Sequence, residues 1–192
     1  MRIKIVVATR ESEARFFSHT ALGQSLSYSM PTYVDVRLFS ENTLGLPLLY
    51  NAAIEECRDE PAILVFVHDD LYLMDYFWSS RLLDALEQFD IVGLAGNTRR
   101  LPKQPSWCFS SDAFQWDDVQ YLSGVVAHGK EFPAEKLGIY GPPRQRVKLL
   151  DGVLICAPSQ TLIDHDLRFD EQFEFHFYDM DFSRQAEAKG LR

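Results

Sequence analysis

The chain has 192 residues with 46% hydrophobic and 13% aromatic side chains, enough for one domain with a sizeable core. A formal net charge of -9 makes it a poor host for a nucleic-acid backbone, which needs a Lys/Arg surface. A small anion would need a local device such as a metal, a helix N-terminus or a few placed arginines.

The longest apolar run, AILVFV at 62–67, is far short of the ~20 residues that span a bilayer, so no transmembrane segment is expected. The opening MRIKIVVATR lacks the apolar core and cleavage site of a signal peptide. Cys57, Cys108 and Cys156 have no C-x-x-C spacing, which argues against a zinc site or disulfide framework and predicts a cytoplasmic protein.

In chain order, IKIVVAT (3–9) is an apolar, β-rich run that breaks at the polar Thr9-Arg10-Glu11-Ser12. TYVDVRLF (32–39) alternates, with Tyr33, Asp35 and Arg37 on one face and Val34, Val36 and Leu38 on the other, as a strand does. ENTLGLPLLYNAAIEEC (41–57) opens with a polar turn; Pro47 suits a first helical turn, and Leu49, Ala53 and Cys57 recur on one helix face. AILVFV reads as a strand buried on both faces, as in parallel sheets. Asp75 is placed to cap a helical stripe of Trp78, Leu82, Leu86 and Phe89, and IVGLAG (91–96) is another short buried strand. This βαβαβ order predicts an α/β domain with a mainly parallel sheet.

Residues 97 to 150 break the pattern, with frequent Gly and Pro, weak periodicity, and Trp107 and Trp116 among polar residues. A stretch of that length reads as a functional insertion or lid. VKLLDGVLICAP (147–158) returns to a strand pattern, and FDEQFEFHFYDMDFSRQAEAKG (169–190) sets acids and a histidine between aromatics before a short amphipathic helix ending at Gly190.

Three groups of residues carry chemistry. His68-Asp69-Asp70 ends a buried strand, and adjacent carboxylates repel each other and are costly to bury unpaired. Ligands of open α/β sheets bind beyond the carboxyl ends of strands, and paired oxygens suit a hard cation such as Mg²⁺ or Mn²⁺. The bland alternative is a pair of acids capping the next segment from a solvated turn. In FHFYDMD, Asp179 either caps a helix beginning near Asp181 or is a general base beside a pocket, while His176 alone reads as a core or rim histidine. Glu41-Asn42-x-x-Gly45, ahead of the helix carrying Tyr50 and Asn51, either offers free amides to an anion or is an ordinary loop-to-helix transition.

In this order, NTLGLPLLYNAAIEEC, ILVFVHDDLYL, IVGLAG, LLDGVLICAP and RFDEQFEFHFYDMDFSRQAEAKG resemble the glycosyltransferases of family 2 type, which have the GT-A nucleotide-sugar fold. The resemblance implies a metal-dependent transferase spanning 1–192 that moves a sugar from a UDP-sugar donor to an acceptor by inverting displacement. It implies that Thr9 lines the nucleobase pocket and that Glu41 approaches the nucleoside. Asp69 and Asp70 match the metal motif, with Asp70 the direct ligand of Mn²⁺ or Mg²⁺. Asp151 and Gly152 line the sugar and acceptor side, and Asp179 is the catalytic base.

Two positions depart from the family pattern: His68 stands at the first acid of the metal motif, and Tyr178 replaces the acid before Asp179. The fold also implies a further strand and a metal-side histidine after Gly190. Only Leu191 and Arg192 follow, so either the chain is shortened or His68 or His176 serves as that metal ligand. The departures keep open a catalytically silent nucleotide-sugar- or glycan-binding protein on the same fold. A metal-dependent phosphohydrolase using HDD is weaker, because such histidine-aspartate enzymes are helical and these residues end a strand.

Overall fold

The first apolar run forms β1 (Ile3–Ala8), in which Ile3, Ile5, Val6 and Val7 are all fully buried. Burial of consecutive residues means cover on both faces, which requires helices on either side of the sheet. The computed structural model describes residues 2 to 130 and 133 to 192; Met1 and, within the expected lid, Glu131 and Phe132 lie outside the described residues.

Two short helices that periodicity did not reveal follow, α1 (Glu13–His19) and α2 (Ala21–Tyr28). Thr20 separates them with extended backbone; its Oγ1 donates to Phe16 O and accepts from Gly23 N. Each apolar stripe is thus cut after two turns, too soon for a 3.6-residue period to register. Then come β2 (Val34–Phe39), α3 (Leu46–Glu55), β3 (Ile63–Val67) and α4 (Trp78–Leu86). Asp75 is not the N-cap of α4: Phe77 takes that position, while Asp75 accepts the Phe77 amide on its carboxylate and the Trp78 amide on its carbonyl, and the helix ends at Leu86, before Phe89.

The remaining elements are β4 (Val92–Gly93), β5 (Ala95–Asn97), β6 (Leu122–His128), β7 (Lys136–Gly141), β8 (Leu149–Leu150), β9 (Leu154–Pro158), α5 (Ser159–Asp164) and α6 (Tyr178–Ala188). They build two sheets, one ordered β2-β1-β3-β9-β4 and the other β7-β6-β5-β8. β1 pairs in parallel with β2 and β3, whereas β9 is antiparallel to both β3 and β4, so only β9 runs against the rest of its sheet. The second sheet is antiparallel throughout. The α/β, GT-A-like architecture expected from the sequence is the one found.

Two sequence expectations need correction. IVGLAG is not one strand but two, divided at Leu94, and VKLLDGVLICAP is divided at Asp151 to Val153. Each apolar run leaves one sheet for the other, and a strand cannot keep ladder hydrogen bonds in two planes without a break. The segment 97–150 carries β6, β7 and β8 of the second sheet, while residues 98–121 form no named strand of it. Its period is masked by a register shift between Gly124 and Val125, where Gly124 has φ of +110° and a Cβ would lie 2.1 Å from the Leu94 carbonyl oxygen.

The first sheet is covered on both faces. Val6, Leu64, Phe66 and Ile155 face α3 and α6 through Tyr50, Ile54 and Phe182, while Ile5, Val7, Val65 and Leu154 face α1, α2 and α4 through Phe16, Leu22, Trp78 and Leu82. Phe169 joins α3, β3 and α6: it stacks on Phe182 at 4.1 Å and meets Phe66 edge-on at 5.0 Å and Tyr50 at 5.2 Å. Because its ring is fully enclosed, Phe169→Ala should cost about 3–5 kcal/mol, measured as a lowered unfolding free energy in urea.

Candidate functional site at the ends of β1, β3 and β9

The β3–β9 ladder continues one residue past the strand, with the His68 amide donating to Val153 O at 3.0 Å. This aligns His68 with the turn that precedes β9. Asp69 is fastened twice: its carboxylate accepts from Thr9 Oγ1 at 2.6 Å, and its carbonyl accepts from the Leu22 amide. Thr9 is 3% exposed and also accepts from the Glu11 amide, so its hydroxyl fixes Asp69 and is not presented outward. Asp70, one residue on, is exposed and makes no hydrogen bond or ion pair among the described residues.

Glu41 has φ of +49° and donates its amide to Glu11 O, while the Asn42 amide donates to Thr9 O. The ends of β1 and β2 are thereby tied together, with the Glu41 side chain exposed. The start of α3 is not an open anion site. Its first amide, Leu46 N, donates to Glu174 O at 2.9 Å, and a Cβ at Gly45 would lie 3.0 Å from Glu174 Cα. The bland loop-to-helix reading is correct there. Asn51 is a clamp, donating to Phe169 O and accepting from Phe169 N, which holds the segment leading to α6.

Gly152 is where these pieces meet. Its carbonyl accepts from the Tyr178 hydroxyl at 2.9 Å, and its amide donates to Asp179 Oδ2 at 3.0 Å. A Cβ there would lie 2.3 Å from the Tyr178 oxygen, so no other residue fits without displacing α6. The Tyr178 hydroxyl also bonds His68 Nε2 at 2.8 Å. Burial pushes the Tyr178 hydroxyl well above its ordinary pKa, so it stays protonated and donates to Gly152, leaving His68 Nε2–H to donate to it. The two departures from the family motif, His68 and Tyr178, are therefore hydrogen-bonded to each other.

Asp179 does not cap a helix beginning at Asp181. The helix starts at Tyr178, behind a left-handed Phe177 with φ of +68°, and Asp179 lies in its first turn. Its carboxylate accepts from the Met180 and Gly152 amides. Its pKa is nonetheless raised. Burial is the largest cause and the nearby Asp151 charge adds to it, while the two amides oppose the shift without cancelling it.

Asp151 faces the second sheet. It accepts from the Trp107 indole Nε1 and from the Val153 amide. Trp107 is held in turn by Asn97, which donates to Trp107 O and to the buried Asp117, itself paired with Arg99. Arg99 holds the Asp117 carboxyl below its ordinary range and lies 3.7 Å over the Tyr121 ring. Sequence reasoning singled out Trp107 as unusual but missed this network, whose bonds span up to 44 positions with no motif to join them.

His176 is exposed and edge-on to Phe175, whose ring also stacks with His68 at 5.6 Å. Among the described residues, no three His, Cys, Asp or Glu side chains gather to hold a metal, so His68, Asp70 and His176 do not make a ligand set by themselves. What the strand end offers is the exposed, unpaired Asp70 beside a fixed Asp69. That fits Mg²⁺ or Mn²⁺ bound in the manner of nucleotide sites, where one or two carboxylates share the ion with phosphate oxygens and water. A cleft of about 1110 Å³ lies elsewhere, between α4, β4, β5 and α6, and none of these site residues lines it.

A family model described as a glycosyltransferase-like family matches residues 24 to 192. The chain belongs to this family. No curated protein matches it by sequence. Among solved structures it is similar to S. aureus TarS 1-349, with a TM-score of 0.52, 13% identity, and 97% of this chain and 55% of that one covered. The complex of that fragment with UDP gives a TM-score of 0.51 and 14% identity, covering 95% of this chain and 54% of the other. S. aureus TarS gives 0.53 and 12%, with 98% and 34% covered. The likeness is one of fold, and the chain spans about half of TarS 1-349. No helix among the described residues is long and apolar enough to cross a membrane.

The raised pKa of Asp179 has a measurable consequence. The folded protein holds this proton more tightly than the unfolded chain, so stability falls as pH rises from the ordinary aspartate value through the raised one, and then levels. Asp179→Asn removes that dependence. Urea unfolding should show wild type gaining stability relative to the variant as pH is lowered from neutral to about 4. A difference that does not change with pH would place Asp179 in the ordinary range.

Proposed function

We propose that the protein transfers a sugar from a nucleoside diphosphate, with UDP as the nucleotide, by an inverting displacement in which Asp179 is the base. Asp179 carries this reading. It is a half-buried carboxylate with a raised pKa, oriented through both oxygens by backbone amides and linked through Gly152 and Tyr178 to the His68 strand end. A carboxylate whose affinity for a proton is raised toward the working pH is better suited to take one from an acceptor hydroxyl. As that proton moves to Asp179, the acceptor oxygen would bond to the anomeric carbon, and the bond to the diphosphate would break with its electron pair leaving on the diphosphate.

The donor assignment is supported by S. aureus TarS, which shares the fold and was crystallised with UDP. Glu41 would flank the nucleoside at the ends of β1 and β2, where the buried Thr9 would act through Asp69, and Asp151 and Gly152 would line the sugar and acceptor side. Asp70 would hold Mn²⁺ or Mg²⁺, with Asp69 pinned by Thr9 to fix the strand end. When bound, the ion would neutralise the diphosphate, which this acidic chain otherwise repels, and stabilise it as a leaving group. Residues 97 to 150 would form the acceptor-side wall and cover. All three cysteines are buried and unpaired, in keeping with residence in a reducing cytoplasm.

A silent nucleotide-sugar binder is the second reading, favoured by one observation: His68 Nε2 is engaged by Tyr178 and not free for an ion. Calorimetry and turnover separate the two. UDP should bind with Mn²⁺ and much more weakly with chelator, and Asp70→Ala should remove most of that difference. Asp179→Asn should keep UDP affinity while lowering turnover of the UDP-sugar by ~10²–10⁴-fold. Equal UDP affinity with metal and with chelator would remove the ion from the mechanism, and a wild type without turnover would favour the binder.

A further inference from the structure

An open sheet has two edges whose outward amides and carbonyls lack partners, and folded proteins blunt them with charge, brevity or cover. Three of the four edges here are managed in these ways. β2 carries Asp35 and Arg37, ion-paired to Arg2 and Glu56. β4 and β8 are two residues long, and the Leu150 amide of β8 donates to Ser183 Oγ of α6. The fourth edge is β7, six residues long. Among the described residues, no backbone group of Lys136 to Tyr140 bonds outside the ladder with β6.

β7 is also apolar where an unpaired edge is ordinarily charged. Leu137 and Ile139 are 59% and 67% exposed. They lie opposite Ala127 and Val125 of β6, so the four side chains form one apolar strip. Tyr140 turns the other way, onto Trp107 and the exposed Trp116, and Trp116 adjoins Phe109 and the exposed Phe114. From Leu137 to Pro143 the sequence carries no charge. Exposed apolar surface on both sides of an open strand marks an interaction surface, and an extended strand is what satisfies its backbone.

The strand's own sequence selects its occupant. Antiparallel self-pairing places a two-fold axis at one residue, and each choice dictates which side chains meet. An axis at Gly138 sets Leu137 against the second copy's Ile139, twice, and Lys136 against the second copy's Tyr140. An axis at Leu137 sets Glu135 against Ile139, and one at Ile139 sets Leu137 against Gly141, past the bulge at Tyr140. Only the Gly138 register joins apolar to apolar, and Gly138 brings no side chain to the axis. We infer that β7 pairs antiparallel with β7 of a second copy about Gly138, joining the two four-stranded sheets across a homodimer. The bulge confines pairing to Lys136 through Tyr140, and the charge of -9 on each copy opposes it, so the dimer belongs with the weak, concentration-dependent interfaces. This inference stands apart from the transferase reading.

Sedimentation velocity on the whole protein from about 1 to 300 µM tests it. Wild type should pass from monomer to dimer within that range, and added salt should tighten the dimer by screening the repulsion. Leu137→Thr/Ile139→Thr keeps strand propensity at two exposed positions, so it should weaken the dimer at least about tenfold with an unchanged melting temperature. Oxidative cross-linking reads the register, since all three native cysteines are buried. Directly opposed residues have Cα atoms about 4.5–5.5 Å apart, within disulfide reach, whereas the two copies of Leu137, or of Ile139, are offset by two places and out of reach. An equal mixture of Leu137→Cys and Ile139→Cys should therefore cross-link, and neither variant alone should do so. A monomer at every concentration, a dimer that salt dissociates, or one that the double threonine variant retains at full strength overturns the pairing. Cross-linking of either cysteine variant alone as readily as the mixture overturns the register at Gly138.

Discussion

The missing side chain at Gly152 is the constraint on which the site depends. The Tyr178 hydroxyl and the Asp179 carboxylate both close on this one peptide, from positions that any Cβ would invade, at 2.3 Å from the Tyr178 oxygen and 3.2 Å from Asp179 Cβ. Through this contact the first turn of α6 docks on the crossing between the two sheets. The carboxylate of Asp179 then sits on the same side as the ends of β1 and β3. The shielding that brings it there also raises its pKa, so position and basicity have one cause.

The pairing of His68 with Tyr178 explains how the chain departs from the family pattern at two places at once. Two acids in these positions would face each other across a partly shielded gap beside Asp69, Asp151 and Asp179, and like charges so placed are costly. A histidine and a tyrosine put a hydrogen bond there without adding a carboxylate, and the tyrosine carries it on to Gly152. The change removes negative charge from a site already rich in it. Asp70 is left as the exposed carboxylate at the strand end.

The second sheet gives the site its other wall. Two apolar runs cross between sheets, at Leu94 and at Asp151 to Val153, so the wall is joined to the first sheet by short peptides. The Asn97–Asp117–Arg99 network stiffens the segment in between and sets Trp107 against Asp151. An Asp with no exposed side-chain area is tolerated there because a guanidinium and an amide satisfy it.

The sequence by itself determined the elements that local pattern encodes. The buried runs at 3–8 and 63–67, the alternation of 34–39, the Pro47 helix and the Gly190 stop all appear close to where their periodicity put them, and the order of motifs indicated the family. Tertiary structure decided what depends on partners distant in the chain. The splitting of IVGLAG and VKLLDGVLICAP follows from membership of two sheets, which an apolar run does not announce. The closure of the α3 N-terminus by Glu174, the start of α6 at Tyr178, and the His68–Tyr178 bond join residues separated by more than 100 positions or depend on such contacts. Residue type specifies which bonds a side chain can make; only the packed chain brings up the group that completes them.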